Sequence, residues 1–337
     1  MPVRYGIIGC GAIAQRRHMP EAAANPASTV AALADPVAKR VKALGEEYGA
    51  EAYTDYSRML KEAELDAVVV CGPNSLHAKM SIEAFKAGLH VLCEKPMALS
   101  VSECDAMMAA CDTAGVTLQL AFMRRFDPPF VQAKRQLDDG AIGTPLMVRS
   151  LTRGPGLPPA WANDMSTSNG MLAEVNSHDF DAVRWLAGAE YEEMHARAGA
   201  LKRPDLLATL PDFYDVAVVS AGMRNGAFGV IDGVCPADYG YDARAEIVGS
   251  SGVLFAGDIR SPGAERVTRE GGAVGPHFTS WRERFAEAYR AEATHFAECI
   301  RSGSVPRVGG VDGRAAVAAV VAANRSLRDG RAVKVEA

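Results

Sequence analysis

The 337-residue chain has no apolar run long enough to span a bilayer, so no membrane-crossing helix is expected. It also has no Cys-x-x-Cys pair. Its seven cysteines are scattered at positions 10, 71, 93, 104, 111, 235 and 299, a spacing that offers neither a zinc site nor a disulfide framework. There is no basic excess: 36 Lys and Arg against 41 Asp and Glu leave a formal charge of -5, which argues against a general nucleic-acid binder. Internal repeats and low-complexity tracts are missing, and an apolar strand begins at Val3, so no signal peptide is expected. What remains is an ordinary globular composition, 48% hydrophobic and 23% charged, long enough for two domains. Scattered thiols in apolar runs fit a reducing cytoplasm.

The stretch that organises the chain is its first. Val3 to Ile8 is a short apolar run, followed at once by Gly9-x-Gly11-x-x-Ala14 and a helix-compatible segment. Gly9 can take the positive φ of a tight turn, Gly11 lets a pyrophosphate approach the backbone, and Ala14 lets helix and strand pack closely. Ala12 and Ile13 open the helix, whose free N–H groups and positive dipole end suit phosphates. Asp35 ends the next apolar run at about the 20-residue separation expected of the group that holds the adenosine ribose. The plainer alternative is a βα turn that happens to be glycine-rich. A carboxylate at Asp35 repels a 2′-phosphate. Pro36 follows it directly, with Lys39 and Arg40 a turn later, so NAD is expected over NADP by about tenfold or more.

Alternating strand and helix patterns continue to Phe122, predicting a doubly wound parallel sheet. Asp66 to Cys71 is a continuous apolar strand, as burial on both faces requires, and runs into Gly72-Pro73-Asn74. Ser100 and Glu103 form a capping box ahead of a helix to Ala114. Beyond residue 123 the pattern changes. Asn169 to Leu186 carries apolar residues at helical spacing, and 192–254 reads as successive strands without intervening helices, an antiparallel sheet. The glycine-rich stretch 258–277 reads as a mobile loop, and two helices follow over 281–301 and 312–328. The expected division is residues 1–123, a dinucleotide-binding domain, and 124–337, an α+β domain.

Four motifs, Gly9-x-Gly11-x-x-Ala14, Gly72-Pro73-Asn74-x-x-His77, Glu94-Lys95-Pro96 and Glu174-x-x-x-His178-Asp179-x-Asp181, occur in this order. Together they resemble the glucose–fructose oxidoreductase and inositol dehydrogenase family over nearly the whole chain. Met123-Arg124-Arg125-Phe126-Asp127 and Tyr239-Gly240-Tyr241-Asp242 resemble the inositol dehydrogenase branch. The resemblance implies a Rossmann domain plus a domain with a large, open-faced, mostly antiparallel sheet through which homodimers or homotetramers form. It implies NAD-dependent hydride transfer from a cyclic polyol or sugar, without a metal.

On this likeness, Pro73, Asn74, His77, Glu94, Lys95 and Arg124 join the glycine turn and Asp35 at the cofactor, and Lys95, His178 and Glu174 are the catalytic set. Lys95 follows a strand at its carboxyl end, where ligands bind in open α/β sheets, and can favour an alkoxide-like oxygen; a solvated surface lysine is the alternative. His178 suits a group that takes a proton as hydride leaves; the alternative is a hydrogen-bonded core histidine. Glu174 lies four residues earlier, on the same face if the helix has begun, where the family usually has Asp. Asn176 stands where a smaller residue is typical. Arg124, Trp161, Asn163 and Tyr239 complete the expected substrate wall. Arg124 could equally make a surface ion pair, and Trp161 could simply anchor its loop. Two other readings stay open: transient oxidation that drives an elimination or epimerisation, and a non-catalytic dinucleotide sensor.

Overall fold

The computed structural model describes residues 1–336, and its contacts cluster into two compact units, neither of which is one stretch of sequence. The first comprises Met1–Phe126 and Glu287–Val317, the second Asp127–Ala286 and Ala318–Ala337. A plain split at 123/124 therefore needs correction: residues 287–317 count with the first unit, because their apolar side chains, Phe296 and Ala297 among them, fill its core.

The first unit runs β1 (Val3–Ile8), a π-helical turn (Ala14–His18), α1 (Met19–Ala24), β2 (Ser28–Ala34), α2 (Ala38–Tyr48), β3 (Glu51–Tyr53), α3 (Tyr56–Glu62), β4 (Ala67–Val70), α4 (His77–Lys86), β5 (His90–Cys93), α5 (Val101–Ala114) and β6 (Leu118–Leu120). All strands are parallel, in the order β3-β2-β1-β4-β5-β6. This is the doubly wound order whose crevice lies outside the carboxyl ends of the strands, where the order reverses. Every residue of β4 is buried, which explains its unbroken apolar sequence. The capping box forms as expected: Ser100 Oγ accepts from Glu103 N and Glu103 Oε2 accepts from Ser100 N at 3.0 Å.

The second unit begins with α6 (Pro128–Asp138), β7 (Pro145–Arg153), α7 (Met165–Ser168), α8 (Gly170–Glu174), α9 (Ser177–Ala187) and β8 (Tyr191–Gly199). It continues with β9 (Val216–Met223), β10 (Phe228–Val234), β11 (Asp242–Gly249), β12 (Val253–Ala256), β13 (Arg266–Thr268), β14 (Gly272–Val274) and α10 (Trp281–Arg284). Helix α11 (Ala286–Ser302) counts almost wholly with the first unit, α12 (Gly310–Asp329) passes from the first unit into the second after Val317, and β15 (Val333–Lys334) belongs to the second. The main sheet has the order β12-β11-β7-β10-β9-β8-β15. Only the β7–β10 pair is parallel. In β9, Ala217, Val219, Ala221 and Met223 are buried while Val218 and Ser220 are exposed, so one face meets the core. The stretch expected as a loop over 258–277 instead contains the exposed hairpin β13–β14.

Two sequence patterns were misleading. The apolar spacing of 169–186 predicts one helix, but the structure has two, α8 and α9, separated at Val175 and Asn176. Asn176 sits at φ -94°, ψ 0°, outside the helical region. Hydrophobic periodicity survives so short a break, so it does not register it. The last of the strand patterns that run to Phe122 is short in the structure, β6 ending at Leu120 before a 3₁₀ segment at Met123–Phe126.

Candidate functional site

In the first unit the fingerprint residues gather at the carboxyl ends of β1, β2, β4 and β5. Gly9 has φ +90°, and an added Cβ would lie 2.7 Å from the Cys71 carbonyl oxygen, so only glycine serves where the β1 turn crosses the end of β4. An added Cβ on Gly11 would meet nothing within 4 Å. That open side is where backbone can meet a pyrophosphate, and these residues fit a dinucleotide. Ala12 is exposed, Ile13 half-buried and Ala14 fully buried. The helix that follows starts as a π turn, an uncommon geometry that tends to mark functional sites.

Asp35 is 4% exposed at the end of β2. Its Oδ2 accepts from Cys10 N at 2.9 Å and its Oδ1 from Val37 N at 2.9 Å. Pro73 is exposed and Asn74 buried, in the 3₁₀ turn ahead of α4. His77, 1% exposed, lies between two carbonyls, with Nδ1 2.7 Å from Pro96 O and Nε2 2.9 Å from Gly72 O. Burial pulls its pKa below the ordinary value against both carbonyls. The ring thus ties the end of β4 to the Lys95–Pro96 turn, whose peptide is cis.

Glu94 is buried, with Oε1 2.7 Å from His18 Nε2 and Oε2 accepting from Lys95 N at 3.1 Å. Burial alone would raise its pKa. The His18 ring and Lys95 reverse that and hold the carboxyl below its usual range. Glu292 of α11 is 1% exposed, and burial together with the Glu94 charge pushes its carboxyl well above the usual range. The two buried carboxyls are thus shifted in opposite directions. Lys95 is half-buried. Arg124 has no exposure at all, which sets aside a surface ion pair.

In the second unit His178 occupies the first turn of α9 and is 7% exposed. Its neighbour Asp179, fully buried, accepts from Ser150 Oγ and Thr152 Oγ1, both at 2.7 Å, and from Asn176 Nδ2 at 2.8 Å. Ser150 and Thr152 are two apart on β7 and so point to one face. These bonds pin the start of α9, and with it the His178 backbone, to the sheet. Asn176 Nδ2 also reaches the Asp232 carbonyl of β10 at 3.3 Å, and a side chain at Gly233 would collide with the Asn176 amide. The unusual asparagine and the strand glycine are therefore one fitted pair.

Glu174 closes α8, half-buried. The break before α9 means that the i,i+4 helical-face argument linking it to His178 does not apply. Burial, then the Glu174 charge, push the Cys235 thiol up to about 12, which places Glu174 near the end of β10. Trp161 is 38% exposed. Asn163 donates to the carbonyls of Pro158 and Pro159 at 3.0 and 3.2 Å, so its amide serves its own loop. Tyr239, 45% exposed, donates to Asp242 Oδ2 at 3.2 Å beside Arg153. It belongs to a charged chain, Arg149–Asp232–Arg153–Asp242–Arg244. Among the described residues no group of three or more His, Cys, Asp or Glu could hold a metal.

The model of an oxidoreductase family (Gfo/Idh/MocA) with an NAD-binding Rossmann fold matches residues 3–122, and that of its C-terminal alpha/beta domain matches residues 134–335. The chain belongs to this family. It is 36% identical over 333 residues to the uncharacterized oxidoreductase YrbE of Bacillus subtilis, covering 98% of this chain and 96% of the relative. It is 33% identical to the myo-inositol 2-dehydrogenase of Thermotoga maritima, over 99% of each chain. Among solved structures, a putative myo-inositol dehydrogenase from Sinorhizobium meliloti superposes with a TM-score of 0.91 at 31% identity, covering 99% of this chain and 100% of the other.

Several residues of this Gfo/Idh/MocA chain were not singled out for these contacts from the sequence. His18 carried only a histidine in a helical run, and its contact with Glu94 spans 76 residues. Glu292 sits in a helix with no motif around it. Asp179 was legible as part of the His178 motif, but not its two hydroxyl partners on β7.

Proposed function

We propose that this chain oxidises a secondary hydroxyl of a cyclic polyol of the inositol kind with NAD, giving a ketone, NADH and a proton. The full-length likeness to a myo-inositol 2-dehydrogenase carries the reading. When bound, NAD supplies the hydride acceptor. Gly9, Gly11, Ala12 and Ile13 receive its pyrophosphate, Asp35 its adenosine ribose, and Pro73, Asn74, His77, Glu94 and Arg124 shape the remainder of its pocket. His178 takes the hydroxyl proton at its imidazole, Lys95 donates to the same oxygen, and Glu174 orients one of them. Trp161 and Tyr239 contribute to the substrate wall. For Asn163 the reading is narrower, since its amide already holds its own loop. The test is a panel of inositols, hexoses and sugar acids with NAD. NADH formation is expected with at least one inositol, and a panel in which no inositol reacts would sink the reading.

We further propose a homodimer or homotetramer assembled on the second unit's main sheet. Val218, Phe228 and Phe255 are 50%, 65% and 70% exposed on its strands, and so large an apolar surface calls for a cover. Light scattering at micromolar protein is expected to give a dimer or tetramer, and Phe228→Lys with Phe255→Glu to shift it toward monomer. A monomeric wild type contradicts this. No described helix is long and apolar enough to cross a membrane, and the seven buried cysteines suit a reducing compartment, so we place the enzyme in the cytoplasm.

A further inference from the structure

Helix α8 has only five residues, Gly170–Glu174, too few to hold its place by its own hydrogen bonds. Two buried polar side chains from distant parts of the second unit hold it instead: Tyr214, just ahead of β9, and Asn324, in α12. The Tyr214 hydroxyl accepts from Leu172 N at 3.3 Å. That N–H belongs to the first turn of α8, where a helix leaves its donors without internal partners. The same hydroxyl donates to Asn324 Oδ1 at 2.9 Å. Asn324 Nδ2 donates in turn to the Asn169 carbonyl at 2.9 Å. A carbonyl can only accept, so Asn169 orients the Asn324 amide and leaves Oδ1 for the one proton a tyrosine hydroxyl can give. The bonds thus run from the first turn of α8, through Tyr214 and Asn324, back to the residue just before α8.

The entry to α8 needs such support. Asn169 has φ +64° and Gly170 φ +70°, two left-handed residues in succession. Left-handed backbone at a non-glycine residue persists only where its surroundings hold it. A Cβ at Gly170 would collide with Met165 Sδ and lie 3.3 Å from the Tyr214 hydroxyl, so the hydroxyl sits directly against this turn. Glu174 is the last residue of the same helix, less than one turn beyond Leu172. A shift of the first turn therefore moves Glu174. We propose that Tyr214 and Asn324 are positioning residues for the reaction, a buried clamp that sets where Glu174 stands. The inference rests on the catalytic reading of Glu174, and neither clamp residue takes part in the chemistry itself.

Two measurements test the clamp. The first needs no substrate. Amide hydrogen exchange over 169–176 is expected to quicken about tenfold in Tyr214→Phe, as the loss of one net hydrogen bond implies. Exchange over 177–187 is expected to stay near wild type, because Asp179 ties α9 to β7 separately. The second is stopped-flow hydride transfer to NAD from the inositol that reacts fastest. Tyr214→Phe is expected to slow it about 10- to 100-fold, the scale of a small misplacement in the site, with NADH affinity near wild type. In a Glu174→Gln background the same change is expected to add less than about twofold, whereas a general loss of structure would multiply the two effects. The pH limb of Tyr214→Phe is expected to lie where Glu174→Gln puts it. Asn324→Ala breaks the loop at a second point and is expected to give the same pattern. Losses that multiply, exchange over 169–176 at the wild-type rate, or wild-type hydride transfer in Tyr214→Phe overturns the inference. Glu174→Gln keeps the two claims apart. If it transfers hydride at the wild-type rate, the catalytic reading of Glu174 fails and takes the clamp's role in the reaction with it. If it is slow while Tyr214→Phe is not, only the clamp fails.

Discussion

His178→Ala is expected to lower the rate of hydride transfer by about 10²–10⁴, the usual worth of a positioned acid–base group, while NADH affinity stays near wild type. Lys95→Ala is expected to cost a comparable factor. If both groups hold the roles proposed for them, the double variant should lose much less than the product of the two. The wild-type oxidation rate should rise with pH through one titration, since the imidazole must be unprotonated to accept a proton, and His178→Ala should flatten that limb. Glu174→Gln should move the limb or reduce the rate and leave cofactor affinity alone. Stopped-flow hydride transfer across pH, with cofactor affinity titrated separately, measures all of this. A near-wild-type rate in His178→Ala would make His178 a core histidine of the kind that α9 could hold by packing alone, and would send the search for the base to Glu174 and Lys95.

The second large effect is on stability. Asp127, just before α6, makes no capping bond to that helix. Its two oxygens instead receive Arg284 Nη1 and Nη2 at 2.8 and 2.9 Å, and the side chains of the pair are only 3% and 6% exposed. Arg284 also lies over the Phe285 ring, 4.6 Å from its centroid. Removing one partner leaves a buried charge uncompensated, which costs about 3–5 kcal/mol. For a protein part of this size that is a fall in Tm of roughly 6–20 °C. Asp127→Ala is expected to show it in thermal unfolding. The double change Asp127→Leu with Arg284→Met, which removes both charges, should recover most of the loss. A single variant within about 2 °C of wild type would mean that water reaches the guanidinium once the carboxylate is gone.

The sequence made legible whatever depends on neighbours in the chain. Val3–Ile8 and its glycine turn, the buried strand Ala67–Val70, the Ser100–Glu103 capping box and the alternation along β9 all follow from local chemistry, and all are in the structure. The break at Val175–Asn176 was not legible, because it is held by Asp179, by the Asp232 carbonyl and by the room that Gly233 leaves, all tertiary facts. The return of 287–317 to the first unit is likewise set by which core its apolar face fills. On the functional side, Asp35 could be named from its distance to the glycines. The reach of Arg40 back to it, five residues on, needed the turn at Pro36 to be seen. Glu174 and His178 could be picked as chemistry-bearing residues, but the helix assumed to align them is interrupted.

The central claim is net oxidation of a cyclic polyol, and its most direct test is stoichiometry. Enzyme, NAD and myo-inositol are mixed for a single turnover, and NADH, remaining polyol and ketone are counted together. The account predicts one NADH and one ketone for each polyol consumed, with the NADH persisting until an oxidised acceptor is added. A polyol converted to an eliminated or epimerised product while NAD returns to its starting level would contradict it.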